Sequence, residues 1–183
     1  MSADQISQIV KAVKTYSYLD QAPIQEVDVH EGLENTLVIL RHKLKGGVQV
    51  TREYDPDLPR IEAYAGELNQ VWTNLIDNAI DAMEGQGTLT LRTYAQEGHV
   101  VVEISDTGPG IPPEVQARMF DPFFTTKPQG IGTGLGLHIV YNIVVDKHRG
   151  RINVVSEPGA TTFQITLPLN LSWEPSAARP TKD

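Results

Sequence analysis

Apolar residues recur at helical spacing in four stretches of the chain. Side chains three or four residues apart form one stripe in each stretch, which is typical of a helix that packs on a core. A further short helix is predicted after Pro112. The four longer helices are predicted over Asp4 to Tyr18, His30 to about Lys45, about Ala65 to Met83, and Gly134 to His148.

Five other stretches alternate between apolar and polar residues, as strands with one buried face do. Four of them form two neighbouring pairs, and each pair predicts a β-hairpin. Because hairpins are mixed with helices, we predict an α/β two-layer sandwich, in which helices cover one face of a mixed, mainly antiparallel sheet. The strands are predicted over residues 48–54, 88–94, 99–105, 151–156 and 161–167.

The charge balance restricts the partners of the chain. Its 183 residues include 15 Lys and Arg against 23 Asp and Glu, a formal net charge of -8 at pH 7. Such a chain repels a polyphosphate backbone or an anionic membrane on average, so we expect no nucleic acid partner and no direct membrane contact. Cysteine is absent, which excludes disulfides, and no apolar run has transmembrane length. We therefore expect a cytoplasmic location.

Two asparagines interrupt the apolar pattern of the third long helix. Asn74 and Asn78 are four residues apart, so their amides project from the same helix face. Asn is unfavourable inside a helix because its side chain competes for backbone hydrogen bonds, so a pair there indicates a purpose. An amide oxygen is a hard ligand suited to Mg²⁺, whose other ligands are water and substrate phosphates. The alternative is that both asparagines simply face solvent.

Asp106 stands where the chain leaves the strand predicted over residues 99–105. A carboxylate in this position can accept a hydrogen bond from an exocyclic amine such as that of adenine. Gly108 and Gly110 allow the backbone to approach a flat ring closely. The alternative is a tight Asx-type turn, for which Asp-Thr-Gly is suitable by itself.

A third cluster consists of the glycines at 130, 132, 134 and 136, which lead directly into a helix. Backbone N–H groups at the positive end of a helix bind phosphates, so this segment is a candidate anion site. Neither the dinucleotide fingerprint nor the Walker pattern is present.

The loop before these glycines carries one lysine and three phenylalanines of interest. Lys127 either reaches a terminal phosphate or is an ordinary surface lysine. Phe120, Phe123 and Phe124 either anchor the loop on the core or act as an aromatic latch on a lid, Met119 to Thr133, over a ligand.

Four motifs, in this order, resemble those of sensor histidine kinases. The resemblance spans about Val27 to Pro168 and implies the Bergerat-type ATP-binding fold of the gyrase, Hsp90, histidine kinase and MutL superfamily. The similar segments are Asn74-Leu75-Ile76-Asp77-Asn78-Ala79 for the N box, Asp106-Thr107-Gly108-Pro109-Gly110 for the G1 box, Phe120-Asp121-Pro122-Phe123-Phe124 for the F box, and Gly132 to Leu137 for the G2 box.

The resemblance implies a role for each matching position. Asn78 would ligate the Mg²⁺ that bridges the ATP phosphates, Asn74 would support it, and Asp106 would bind the adenine amino group. Thr162 would lie near the base. The remaining predicted contacts, with the adenine pocket and the phosphates, are Gly108, Gly110, Ile111, Phe120, Lys127, Gly132, Thr133, Gly134, Leu135, Gly136 and Leu137.

Two departures from the family pattern affect the expected chemistry. Family members usually carry a basic residue three positions after the Mg²⁺ asparagine, whereas this chain has Asp81, which puts that phosphate contact in doubt. The superfamily's hydrolases place a glutamate base where this chain has Asn74, and an amide cannot deprotonate water. We therefore expect transfer of the γ-phosphoryl group to a protein side chain rather than rapid hydrolysis.

The family's phosphoryl acceptor is a histidine on a dimerising helical hairpin, for which this chain has no room. His30-Glu31 superficially resembles the acceptor motif but lies too close to the N box, so we interpret His30 as an ordinary residue at a helix start. We expect residues 1–22 to be the end of the hairpin's second helix plus a linker, 23–169 the ATP-binding domain, and 170–183 a disordered tail. The expected partners are the histidine-bearing domain of the parent kinase and a response regulator, and the piece itself is expected to be a monomer that does not autophosphorylate alone.

Three alternatives stay open at this point. Asp-Thr-Gly after an apolar strand also occurs in aspartic proteases, which need a second aspartate. A non-catalytic module could use ATP only to order its lid around a partner. A hydrolysing ATPase could use another base, for instance Asp77 or Glu67.

Overall fold

The computed structural model describes residues 3–20, 24–127 and 134–171, and for residues 13–20 only the backbone. The helices are α1 (Ala3–Asp20), α2 (Val29–Ile39), α3 (Arg41–Leu44), α4 (Ala65–Ala82), α5 (Pro113–Gln116) and α6 (Gly136–Tyr141), which a π-helical segment (Asn142–Lys147) continues. The strands are β1 (Gln25–Val27), β2 (Val48–Glu53), β3 (Ile61–Ala63), β4 (Gly87–Gln96), β5 (His99–Asp106), β6 (Arg151–Glu157) and β7 (Ala160–Pro168).

The main sheet has five strands in the order β2-β4-β5-β7-β6. β2 runs parallel to β4, and the other neighbours are antiparallel. β1 and β3 form a separate antiparallel pair. The predicted mixed, mainly antiparallel sheet is therefore confirmed, as are the two predicted hairpins.

One face of the sheet and the helices enclose the core. α4 contributes Val71, Trp72, Leu75 and Ile76, none more than 1% exposed. Burying a large apolar side chain stabilises the fold by about 1.5–3 kcal/mol. With four such residues, α4 makes a large contribution to the stability of this layer. The strands face it with alternate residues, which are Leu89, Leu91, Val100, Val102, Ile104, Phe163, Ile165 and Leu167.

The opposite face of the sheet carries polar side chains that bond to one another. Arg92 Nη1 donates to Glu103 Oε1 at 3.4 Å, and its guanidinium lies 4.9 Å from the centre of the Tyr94 ring. Gln164 Nε2 donates to the Tyr94 hydroxyl at 3.2 Å, and Asn153 Nδ2 donates to Gln164 Oε1 at 3.1 Å. These contacts agree with the prediction that helices cover one face only.

The stretch predicted as one helix from His30 to Lys45 is two helices. Its apolar stripe is buried as predicted, but α2 ends at Ile39, and Leu40 joins it to α3 with φ -90 and ψ 8. Thr36, Val38 and Ile39 are β-branched, and such residues weaken a helix. Asp28 begins α2 by accepting the His30 backbone N–H at 2.9 Å.

The helix predicted from Gly134 to His148 begins at Gly136 and becomes π-helical after Tyr141. Its end is held by His148, which is 1% exposed. The ring Nδ1–H donates to the Ile143 carbonyl at 2.8 Å, and Nε2 accepts the Tyr64 backbone N–H at 3.1 Å. Burial of the ring lowers the pKa of His148, and the bond to Ile143 only partly opposes this effect. The neutral imidazole thus fastens the π-helical end to the start of α4.

The short strands β1 and β3 were not predicted, since three residues are too few to show alternation. α1 packs against α2 and α4, with Ala12 buried and Arg41 Nη1 donating to Gln8 Oε1 at 3.2 Å. The tail predicted as disordered lies almost entirely outside the described residues. No helix in the described ranges combines the length and apolar character needed to cross a membrane.

Candidate functional site

The N-box asparagines lie half-buried on α4, between its buried apolar residues and solvent. Asn74 Nδ2 donates to the Gly136 carbonyl at 3.3 Å. A Cβ added at Gly136 would lie 3.9 Å from Asn74 Cγ. Side chain and glycine are therefore neighbours, and the asparagine face of α4 meets the first turn of α6.

Asp106 ends β5 and is 6% exposed. Its Oδ1 accepts the Gly108 backbone N–H at 2.9 Å, so the Asx-type turn weighed as an alternative is present. No described residue hydrogen-bonds Oδ2, so this oxygen can still accept a ligand's amine. Burial raises the pKa of Asp106, and the bond from Gly108 only partly offsets this effect.

Gly108 lets the Asp106 turn approach the end of α4. A Cβ at this position would lie 2.9 Å from Asp106 Oδ1 and 3.0 Å from the Ala82 carbonyl oxygen. Ala82 follows Asn78 by one helical turn. The first glycine cluster and the asparagine helix therefore meet at one edge of the sheet.

The rest of this turn is attached to the β6–β7 hairpin. Gly110 has φ +90, and a Cβ there would lie 2.6 Å from the Glu157 carbonyl oxygen. The Ile111 backbone N–H donates to Ser156 Oγ at 2.7 Å, and Ser156 Oγ lies 2.7 Å from Thr161 Oγ1. Gly110 and Ile111 thus hold the turn in place, and Ile111 packs against the core.

The strand register favours Thr161 over Thr162 as the threonine beside the candidate base site. Asp106 pairs with Thr161, which is 3% exposed, while Ser105 pairs with Thr162. Paired residues of antiparallel strands share a face. Thr162 therefore lies on the face without helices, where its Oγ1 is 2.7 Å from Ser105 Oγ. Thr161 was missed, although it falls in the same alternation as Phe163.

The F-box phenylalanines have different environments. Phe120 is half-buried, its ring centre lies 6.0 Å from that of Tyr141, and its carbonyl is 3.2 Å from His138 Nδ1. Phe124 lies under the Arg118 guanidinium at 4.7 Å. Phe123 is 74% exposed with φ 66. Phe120 therefore anchors the loop, whereas Phe123 does not.

The G2 segment is described from Gly134 onward, and Gly132 and Thr133 lie outside the described residues. Gly134 has φ +71, and a Cβ there would lie 2.2 Å from the Phe123 backbone carbon. Leu135 and Gly136 are half-buried at the start of α6, and Leu137 packs against the core. The G2 segment therefore contacts both the N box and the F box.

Lys127 is not a free surface lysine. Its Nζ donates to Asp81 Oδ2 at 2.7 Å, and Lys43 Nζ donates to Asp81 Oδ1 at 3.0 Å and also to Asp77 Oδ1. Sequence reasoning missed Lys43, although two acids at i and i+4 on one helix face signal a need for a cation.

His30 is the second residue of α2, as predicted. Its ring stacks on Tyr54 with centres 4.3 Å apart, and its Nε2 lies 2.7 Å from Thr93 Oγ1. Both ring contacts are structural, which agrees with an ordinary residue at a helix start.

An open depression of about 600 Å³ adjoins the end of α4, the Asp106 turn and the β6–β7 turn. Its lining includes Ala82, Met83, Thr107, Gly108 and Pro109. Across the described part of the chain, no group of three or more His, Asp or Glu side chains could hold a metal ion. Asn78 alone still fits Mg²⁺, since this ion usually takes few protein ligands and completes its shell with water and phosphate oxygens.

Comparison with known proteins places this geometry in a family. Residues 64–171 match the family described as histidine kinase-, DNA gyrase B-, and HSP90-like ATPase. The chain is 33% identical to the sensory histidine kinase/phosphatase NtrB of Rhodobacter capsulatus over 90% of this chain and 49% of that protein. It is 32% identical to the signal transduction histidine-protein kinase AtoS of Escherichia coli over 91% of this chain and 28% of that protein. The chain thus spans about half the length of NtrB and less than a third of the length of AtoS.

Solved structures of histidine kinases agree with this family match. The catalytic domain of histidine kinase ThkA superposes with a TM-score of 0.75 at 31% identity, covering 81% of this chain and 97% of that one. ThkA in complex with the response regulator protein TrrA superposes with a TM-score of 0.72 at 25% identity, covering 93% of this chain and 50% of that one. The family match also rules out the aspartic protease interpretation of Asp106-Thr107-Gly108. The chain belongs to the histidine kinase-, DNA gyrase B- and HSP90-like ATPases, and among them to the catalytic domains of sensor histidine kinases.

Proposed function

We propose that this chain binds MgATP and donates the γ-phosphoryl group to a histidine on a separate dimerisation domain of its parent kinase, in two-component signal transduction. The observation that carries the proposal is the junction between α4 and α6, where Asn74 bonds to Gly136. An amide-bearing helix face beside a glycine-led helix start offers an oxygen ligand for Mg²⁺ and N–H donors for phosphates.

The proposed roles follow from this junction. Asn78 supplies an oxygen to Mg²⁺, and Asn74 keeps the start of α6 in place. The backbone N–H groups of residues 132–137 bind phosphate oxygens, and Lys127 reaches the terminal phosphate. At the other end, Asp106 Oδ2 accepts the adenine amine, with Gly108, Gly110 and Ile111 shaping the pocket. We place Thr161, rather than Thr162, next to the base.

The proposed chemistry is in-line transfer to nitrogen. The acceptor histidine forms a nitrogen–phosphorus bond while the bond between the γ-phosphorus and the β,γ-bridging oxygen breaks, and ADP leaves. The acceptor is itself the nucleophile, so no residue of this chain has to deprotonate water. The chain's contribution is positioning and neutralisation of charge.

The two bases considered for a hydrolysing ATPase are each paired with a lysine. Glu67 is eleven residues before Asn78 on α4, about 16 Å along the helix axis, and it is paired with Lys147. Asp77 is paired with Lys43. Both contacts support phosphoryl transfer over hydrolysis.

We propose that residues 1–22 end the dimerisation hairpin, that 23–169 form the ATP-binding domain, and that 170–183 are a tail. A response regulator is the proposed downstream partner, and the proposed location of this segment is the cytoplasm. On its own the chain is proposed to be monomeric and unable to autophosphorylate.

Calorimetry with MgATP and a transfer assay test the proposal together. The chain should bind MgATP, show little turnover alone, and label the histidine-bearing domain of its parent kinase when the two are mixed. Asn78→Ala should weaken MgATP binding by about tenfold or more, because it removes a metal ligand. Asn153→Ala is the matched control, since Asn153 bonds to Gln164 on the face without helices, and its binding should match the unaltered chain.

The outcomes separate the candidate functions. Binding without transfer to the acceptor domain would indicate a nucleotide-gated interaction module. Rapid phosphate release without an acceptor, lost in Asp77→Asn or Glu67→Gln, would indicate a hydrolysing ATPase. Absence of MgATP binding would refute all three.

A further inference from the structure

Four charged side chains form a network one helical turn beyond Asn78. Asp81 lies at its centre, and each of its carboxylate oxygens accepts a hydrogen bond from a different lysine. Lys43 of α3 donates to Oδ1 at 3.0 Å, and Lys127 donates to Oδ2 at 2.7 Å. Lys43 also pairs with Asp77. The four side chains are between 31% and 35% exposed.

The network is electrically balanced, with two lysines against two aspartates. Burial raises the pKa of Asp81, but the hydrogen bonds and charges of Lys127 and Lys43 outweigh burial and bring that pKa below its ordinary value. Asp81 is therefore ionised at neutral pH, and Lys127 has no uncompensated charge. A phosphate that engages Lys127 therefore meets a charge that Asp81 already neutralises, and the negative carboxylate beside it opposes the approach of the phosphate.

We propose that Asp81 competes with the terminal phosphate of the nucleotide for Lys127 and so sets the affinity of the site for MgATP. The inference rests on the proposed function, in which Lys127 meets a terminal phosphate. The Asp81–Lys127 ion pair stabilises the nucleotide-free chain, and its free energy is lost when Lys127 turns to the phosphate.

Lys43 makes this exchange feasible. When Lys127 leaves, Asp81 Oδ1 keeps its bond to Lys43, so the carboxylate does not become an unpaired charge, which would be costly at a half-buried position. Asp77 holds Lys43 in place from the previous turn of α4. Lys127 can therefore exchange partners without breaking up the other three members of the network.

The competition predicts a gain of affinity from loss of a charge. Asp81→Asn should bind MgATP about two- to fivefold more tightly, as expected for release of a partly exposed ion pair. Lys127→Met should bind more weakly, and its loss should be larger in the Asp81→Asn background than in the unaltered chain. The double variant should therefore resemble Lys127→Met. Glu31→Gln, which removes the same charge from an exposed position on α2, is the matched control and should bind as the unaltered chain does.

The test is calorimetric titration of all five chains with MgATP and with AMP, with thermal melts to confirm folding. AMP lacks the β- and γ-phosphates, so its affinity should not change in Asp81→Asn. Weaker or unchanged MgATP binding by Asp81→Asn would overturn the inference. Equal tightening for MgATP and AMP, or tightening that persists without Lys127, would also overturn it, because the effect would then be a general change of charge.

Failure of the proposed function has a different signature. If the unaltered chain gives no heat with MgATP, or if Asn78→Ala binds MgATP as tightly as the unaltered chain, the proposed nucleotide site is refuted. If Asn78→Ala loses binding and Asp81→Asn does not gain it, the nucleotide site stands and the competition does not.

Discussion

Replacement of Gly110 by alanine tests how the Asp106 turn is attached to the β6–β7 hairpin. The variant has two costs. A non-glycine residue at φ +90 costs about 1–2 kcal/mol. The new Cβ would also lie 2.6 Å from the Glu157 carbonyl oxygen and 2.9 Å from its carbon, and such overpacking costs about 1–3 kcal/mol. The expected loss in the free energy of unfolding is therefore about 2–5 kcal/mol.

Gly98→Ala is the matched control. Gly98 has φ +76 at the β4–β5 turn, and a Cβ there would meet nothing within 4 Å. It should therefore show the conformational cost alone, about 1–2 kcal/mol. Urea unfolding of both variants measures the difference, which should be about 1–3 kcal/mol.

The same pair of variants has a functional readout. Displacement of the Gly110 turn should shift Asp106 and Ile111, so Gly110→Ala should weaken MgATP binding at a temperature where the variant is fully folded, whereas Gly98→Ala should not. Equal losses of stability in the two variants would refute the close contact with Glu157. Unchanged MgATP binding by a destabilised Gly110→Ala would refute the link between this contact and the site.

Three further predictions concern buried groups. Because burial lowers the pKa of His148, the unfolded chain takes up the proton first as the pH falls. The stability that the neutral ring contributes is therefore present above about pH 6.5 and is lost below this value. Unfolding midpoints measured between pH 8 and 5 should fall less in His148→Gln than in the unaltered chain, and equal falls would contradict a neutral, buried His148. Asp106→Asn should be at least as stable as the unaltered chain at pH 7, because burial raises the pKa of the Asp106 carboxyl and its ionisation above about pH 3.8 destabilises the fold. The same variant should bind ATP about tenfold or more weakly. If calorimetry shows that it still prefers ATP to GTP, Asp106 is not the group that reads the base. Thr161→Val should weaken ATP binding while Thr162→Val should not, and the reverse order would restore Thr162 to the site.

The helices and hairpins of this chain could be predicted because their patterns are local. The stripe that includes Leu33 and Leu37 and the alternation in β4 and β5 need no information from distant residues. The apolar pattern shows neither the break at Leu40 nor the π-helical end at His148. The π-helical end depends on Tyr64, which is far away in the sequence, and the helix break leaves the stripe of leucines unchanged.

The same division applies to the candidate site. Asn74, Asn78, Asp106 and the glycines are recognisable from residue type and spacing, since each acts through its own amide, carboxylate or small size. The partner of Lys127 could not be predicted, because α3, α4 and the segment that follows the F box meet only in the folded chain. The choice between Thr161 and Thr162 depended on register, since a shift of one residue moves a side chain to the other face of a sheet.

Residue order alone was therefore sufficient for the apolar helical stretches, the five strands of the main sheet, the layered fold and the family, all of which rest on short-range periodicity and on motifs. Folding was needed to show that Asp81 holds two lysines, that Gly110 lies against Glu157, and that a neutral histidine ends the π-helical segment. These contacts join residues that are 38 to 84 positions apart in the chain. Side chains so distant in sequence acquire partners only when packing of the core brings their backbones together, and no local pattern records that event.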